Sequence, residues 1–241
     1  MLLKIIYEDA DLLVIDKPAG IVVFPEGETL KSGEKTLIDY LIEKHPELAE
    51  SGTPPRYGIV HRLDKDTSGI LLVAKANEAL IFLQKQFKNR RVEKKYICLV
   101  NRRLKDDFGK IETLIGRSPS DKRKQKVYFL GEPGSEGKKE AITEYKVLER
   151  FKEYTLLEVQ IETGRRHQIR CHLSYLQHPV AGDKMYGFKN QLTPNGLARQ
   201  FLHASCLKIQ LPTCAGRPNG KTEEFKSDLP EELKQILKNL R

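Results

Sequence analysis

A chain of 241 residues, 39% hydrophobic and 31% charged, reads as a soluble globular protein with room for one large domain or two small ones. Its 42 Lys and Arg against 33 Asp and Glu leave a formal charge of +9, which suits an anionic partner, above all nucleic acid or an acidic membrane face. Cys98, Cys171, Cys206 and Cys214 form no CxxC pair, which argues against a structural zinc site or a disulfide framework and for free thiols in a reducing compartment. The opening residues lack the basic flank and apolar core of a signal peptide, and no apolar run reaches the roughly 20 residues of a membrane span, so a cytoplasmic protein without membrane attachment is expected.

In chain order, residues 5–7 and 12–15 are short β-type runs, the second ended by the turn Lys17-Pro18-Ala19-Gly20. Thr36 suits the N-cap of a helix through His45, with Leu37, Ile38, Leu41 and Ile42 on one side. A Pro- and Gly-rich stretch then leads to Ile59-Val60, and residues 70–73 form an apolar run of the buried-strand kind. Asn77 suits the N-cap of a second helix carrying Leu80, Leu83 and Phe87. Strands are predicted over 96–100, 111–115, 141–148 and 154–161. A helix should start near Gln168, residues 202–211 and the region of Phe225 should be extended, and residues 228–240 should form a last amphipathic helix. Successive strands with few helices between them point to an α+β fold on a mixed, mainly antiparallel sheet.

Four stretches invite a chemical reading. Residues 61–69, HRLDKDTSG, lie between two apolar runs, so Asp64 sits at a strand end beside the basic His61 and Arg62, although Asp, Thr, Ser and Gly also suit an ordinary loop. Residues 163–173, TGRRHQIRCHL, put Arg165, Arg166 and Arg170 around a helix start. Cations there oppose the helix dipole, a local cost that often marks function, while a solvated basic face is the plainer reading. If Gln168 onward is helical, Arg166 and Arg170 are four apart and share a face. Tyr96 follows Lys94 and Lys95 at a strand opening, where a core or half-buried role is the plain expectation. A basic loop, Lys122, Arg123, Lys124 and Lys126, precedes Tyr128 and Phe129, a combination that fits phosphate contact and base stacking on RNA as well as a solvated turn.

Together, and in this order, these stretches resemble the RluA-type pseudouridine synthases over nearly the whole chain. DKPAG, HPVAGDKMYG (178–187) and FLHA (201–204) add lesser matches. The resemblance implies a mainly antiparallel sheet flanked by helices, with a central RNA-binding cleft, and it makes Asp64 the catalytic aspartate. It further implies that Arg62 helps to push the target nucleotide from its stack, that Tyr96 lies against the flipped uracil, that Arg170 pairs with Asp64, and that Leu202 lines the uracil pocket. His61, Arg165 and the basic loop are expected to touch RNA. Reactant and product are isomers, so no cofactor and no metal is expected, and the substrate is structured ribosomal or transfer RNA. A monomer is expected, with residues 1–241 forming one catalytic domain and no separate N-terminal RNA-binding module. Two alternatives stand beside this reading. A non-catalytic RNA-binding or ribosome-assembly protein would keep the basic surface but could lose the acid. A metal-dependent nuclease would need a carboxylate or His cluster with ligand spacing, which the sequence does not offer.

Overall fold

The computed structural model describes residues 3–25, 34–212 and 220–241. Its elements, in chain order, are β1 (Lys4–Glu8), β2 (Leu12–Lys17), α1 (Leu37–Lys44), a 3-10 turn (Pro46–Glu50), β3 (Ser68–Ala74), α2 (Asn77–Lys88), β4 (Glu93–Asn101), β5 (Phe108–Arg117), β6 (Gln125–Tyr128), β7 (Lys139–Arg150), β8 (Tyr154–Ile161), α3 (Gln168–Tyr175), β9 (Leu202–Gln210), β10 (Thr222–Lys226) and α4 (Glu231–Leu240). The expected mixed, mainly antiparallel α+β architecture is the one observed. The chain divides into two compact units, Met1–Val92 with Cys206–Asp228, and Glu93–Ser205 with Leu229–Arg241.

In the first unit β2 pairs antiparallel with β1 and with β3, and β9 pairs antiparallel with β10. β3 is buried along its whole length, as its unbroken apolar run requires of a strand covered on both faces. Its Ile70 and Leu72 join Leu12, Val14, Leu80, Leu83, Leu207, Ile209 and Phe225 in one core. Each such side chain contributes about 1.5–3 kcal/mol by leaving water. Helix α1 starts as the sequence predicts: the Asp39 carboxylate accepts from the Thr36 backbone N–H and hydroxyl, both at 2.7 Å, and Leu37, Ile38 and Leu41 are buried. Asn77 does not cap α2. The N-cap is Ala76, and the Asn77 amide instead accepts from Gly52 N at 2.7 Å and donates to the Glu50 carbonyl at 3.1 Å, tying down the preceding turn.

The second unit is an antiparallel array in which β8 lies between β4 and β7, β7 pairs with β5, and β5 with β6. One core joins Leu99, Phe151, Leu156 and Phe201 to Leu233, Ile236 and Leu237 of α4. A second, with Ile115, Val127, Ala141, Cys171 and Tyr186, lies under α3. Helix α4 begins at Glu231 rather than 228, because Pro230 disfavours helical backbone at the residue before it and so sits at the N-cap. Cys98 and Cys171 are buried free thiols and Cys206 a half-buried one, while Cys214 lies outside the described residues.

Candidate active site

Asp64 sits in the first unit, half-buried, on the loop that enters β3. The loop is anchored on both sides, by buried Leu63 and by buried Thr67, whose N–H donates to the Asp64 carbonyl at 3.1 Å. Gly69 then joins β3 at φ +113°, backbone that a side chain would strain. Opposite Gly69 in the β2–β3 register stands Lys17, which has no solvent exposure. Its ammonium donates to the carbonyls of Pro18 (2.8 Å), Ile21 (3.0 Å) and Lys65 (3.1 Å). Gly20 N also donates to the Lys65 carbonyl at 2.9 Å. The early DKPAG turn therefore grips the residue next to Asp64, a link that the sequence motif did not reveal.

The neighbours of Asp64 are also placed. The His61 Nε2 accepts from Leu72 N at 3.1 Å, and its ring stacks on Phe87 at 4.9 Å and 18°, so this imidazole braces the strand behind the loop. The Arg62 guanidinium lies over the Phe24 ring at 5.6 Å.

In the second unit Tyr96 is 8% exposed on β4, opposite Val159 of β8. Leu202, 4% exposed, opens β9. Leu99 N donates to the Phe201 carbonyl and the Ser205 hydroxyl to the Lys95 carbonyl, so Tyr96 and Leu202 are brought onto neighbouring stretches of chain.

The arginine-rich segment is more built than its sequence suggests. Helix α3 begins only at Gln168, because His167 takes left-handed backbone at φ 54°, and Arg166 therefore does not share a helical face with Arg170. The Gln168 carboxamide substitutes for a cap. Its Oε1 accepts from Arg165 N (2.9 Å) and the Thr163 hydroxyl (2.8 Å), and its Nε2 donates to the Ile142 carbonyl (2.9 Å) and Thr143 Oγ1 (3.0 Å). The Arg165 Nε donates to the Glu140 carbonyl at 2.7 Å, which pins that side chain to β7.

Arg170 is 6% exposed and forks onto Asp183, with Nε to Oδ2 at 2.6 Å and Nη2 to Oδ1 at 3.0 Å. Asp183, itself 2% exposed, also accepts from Met185 N and Tyr186 N. The Tyr186 ring lies 5.1 Å from the guanidinium carbon. Its hydroxyl accepts from Gln125 N at 2.6 Å and lies 3.0 Å from His167 Nδ1, to which it can donate. Asp183 and Tyr186 both belong to the HPVAGDKMYG stretch, which the sequence marks as a motif without revealing its chemistry. Behind the segment, fully buried His172 bonds Thr113 Oγ1 (3.0 Å) through Nε2 and Thr143 Oγ1 (2.9 Å) through Nδ1, and burial pushes its pKa down to about 4.

The basic loop is shorter than predicted. Lys122, Arg123 and Lys124 occupy the turn between β5 and β6, but Lys126 belongs to strand β6, with its ammonium 4.9 Å from the Tyr128 ring. Strand pairing through Gly116↔Lys126 and Arg117↔Gln125 extends the hairpin past the expected boundary. The Arg123 side chain closes back on Asp121 (Nε–Oδ1 3.0 Å, Nη2–Oδ2 2.9 Å), which holds that carboxyl down at about 2. Among the described residues no group of three or more His, Cys, Asp or Glu could hold a metal ion, and no helix is long and apolar enough to cross a membrane.

Comparison with known proteins gives this arrangement its class. The RNA pseudouridylate synthase family model matches residues 11–175. The chain is 41% identical to the RNA pseudouridine synthase YlyB of Bacillus subtilis (strain 168), over 99% of this chain and 73% of the other. It is 46% identical to an RNA pseudouridine synthase of Aquifex aeolicus (97% and 72% covered), and 40% identical to ribosomal large subunit pseudouridine synthase D of Nitrosomonas europaea (99% and 65%). Its fold is similar to that of human RNA pseudouridylate synthase domain containing 4, with a TM-score of 0.74 and 26% identity over 98% of this chain and 92% of that one. The chain belongs to the RNA pseudouridylate synthase family. It is thus an isomerase that converts uridine to pseudouridine in RNA.

Proposed function

We propose that the substrate is large-subunit ribosomal RNA, that Asp64 is the catalytic carboxylate, and that both compact units act as one catalytic domain, as a monomer in the cytoplasm. The bond from ribose C1′ to uracil N1 breaks, the base turns, C1′ rejoins at C5, the C5 proton is lost to a base, and N1 takes up a proton. An ionised Asp64 can attack C1′ or remove a proton beside it, while the departing uracil carries negative charge. No atom is gained or lost overall, so the reaction calls for no cofactor. Tyr96 supplies a flat face for the base and Leu202 an apolar wall. Arg62 fills the space vacated by the flipped nucleotide, whose extrusion costs a few kcal/mol. Arg170 pairs with Asp64 and keeps its carboxylate ionised and oriented. His61 and Arg165 brace the flanks of the RNA path, and Lys122, Arg123, Lys124 and Lys126 meet phosphates.

The observation that carries this reading is the grip of Lys17 on the Lys65 carbonyl, which ties down the loop of half-buried Asp64. The choice of ribosomal RNA rests on the names of relatives such as the Nitrosomonas europaea enzyme. Pseudouridine mapping in cells with and without the gene tests it. Specific sites in large-subunit ribosomal RNA should disappear on deletion and return with the wild-type chain but not with Asp64→Asn. Unchanged ribosomal RNA with sites lost from transfer RNA would overturn the substrate assignment.

A further inference from the structure

The second unit holds a cavity of about 350 Å³ that no step above uses, walled by Lys126, Phe129, Glu132, Cys171, Tyr175 and Tyr186. Its size exceeds that of a nucleobase and its character is mixed. Phe129 and Tyr175 are large hydrophobic side chains left 46% and 45% exposed, with ring centroids 5.8 Å apart at 60°. Burial pushes the Cys171 thiol up to about 12, so it serves as apolar floor rather than as a nucleophile. Lys126 lines the cavity, and the turn bearing Lys122 and Lys124 immediately precedes its strand in the chain. Glu132 on the wall disfavours a phosphate inside but can accept from a base N–H. Tyr186 is shared: the ring that lines this cavity is the one under the Arg170 guanidinium.

We infer that the cavity is a second nucleobase subsite, which takes an unpaired base close to the target uridine in the RNA chain. The base stacks against Phe129 and Tyr175, Glu132 accepts from its N–H edge, and its phosphate faces Lys126 and the basic turn. Charge and chemistry both favour this occupant, because stacking faces bordered by lysines are what single-stranded RNA recognition uses. The inference rests on Arg170 belonging to the reaction site, and it gives the enzyme a means of choosing among uridines by their neighbours.

The test uses the full chain and short single-stranded oligoribonucleotides carrying 4-thiouridine, with affinity read by fluorescence anisotropy and contacts by photo-crosslinking. Crosslinks should map to the segments of Phe129 or Tyr175. Phe129→Ala with Tyr175→Ala should weaken binding about tenfold, the usual weight of a base–aromatic stack. Phe129→Leu with Tyr175→Leu keeps the bulk but not the flat faces and should weaken it comparably. Neither pair removes a charge, so the dependence of log affinity on log salt should keep its slope. Replacing Lys122, Arg123, Lys124 and Lys126 by Ala should instead flatten it by roughly 0.7 per lost phosphate contact. Affinity within about twofold of wild type in both aromatic pairs would overturn the subsite. So would normal RNA binding by the Leu pair together with loss of a wild-type dimer, which would assign the face to a second copy of the chain. Either result would leave the turnover defect of Asp64→Asn untouched, so the subsite can fail without the catalytic reading failing.

Discussion

Of the buried cations, Lys17 in one compact unit and Arg170 in the other are satisfied in opposite ways. Lys17 donates to three backbone carbonyls, so dipoles share in solvating its charge and its effect is mechanical: three points of the chain, one of them next to Asp64, are drawn to a single ammonium. Arg170 meets a full counter-charge in Asp183, in a two-pronged contact with almost no solvent. The first arrangement positions a loop, and the second holds a charge in place. The difference teaches that a buried positive group can act through geometry in one place and through charge in another.

That contrast can be broken experimentally, and the largest effect belongs to the ion pair. Asp183→Asn removes the bidentate counter-charge of buried Arg170 and should cost about 3 kcal/mol or more of stability, read from the urea midpoint. A loss below about 1 kcal/mol would mean that the guanidinium is neutralised chiefly by other groups.

His172 gives the next effect, visible only with pH. Its folded pKa of about 4 lies below the ordinary 6.5, so between these values the unfolded chain binds a proton that the folded chain refuses. Stability should therefore fall as pH drops from about 6.5, by on the order of 2 kcal/mol at pH 5, with the loss complete near pH 4. His172→Gln, which can still bond both threonines, should flatten this part of the profile. Parallel decline of wild type and variant would place the acid sensitivity elsewhere.

Lys17→Met should cost least in stability, on the order of 1 kcal/mol, because losing the carbonyl contacts is offset by no longer burying a charge. Turnover should nevertheless fall by at least about tenfold while RNA affinity is kept, since the loop of Asp64 loosens. A stability loss as large as that of Asp183→Asn, with normal turnover, would reverse the comparison.

Much of this architecture is legible in sequence, and the exceptions have physical causes. Strand β8 matches its predicted range, since an apolar run bounded by polar turns leaves little choice of ends. Helix α1 starts where Thr36 and Asp39 provide a capping box. Asn77 does not cap α2, because its carboxamide has a competing use in tying down the turn at Glu50 and Gly52. The basic loop is shorter than its composition suggests, because the strand pairing of β5 with β6 takes Gln125 and Lys126 out of it. Asp64, Tyr96, Arg170 and Leu202 are assigned roles by motif resemblance, whereas the sequence gives no role to Lys17, Gln168, Asp183 or Tyr186. Their functions arise from long-range contacts, and residue type alone cannot distinguish a buried Lys bound to carbonyls from one in solvent.

The central claim is that one half-buried carboxylate performs the chemistry, and single-turnover isomerisation by Asp64→Asn tests it most directly. The substitution keeps size and removes charge, and affinity for RNA comes mainly from Lys and Arg at phosphates. Pseudouridine formation on a pre-folded large-subunit ribosomal RNA fragment should fall to less than about a hundredth of the wild-type rate, a barrier increase of at least ~2.7 kcal/mol, with RNA binding kept within a few-fold. A variant that retains a tenth or more of the wild-type rate, or one that loses activity only in step with RNA binding, would contradict the assignment of Asp64.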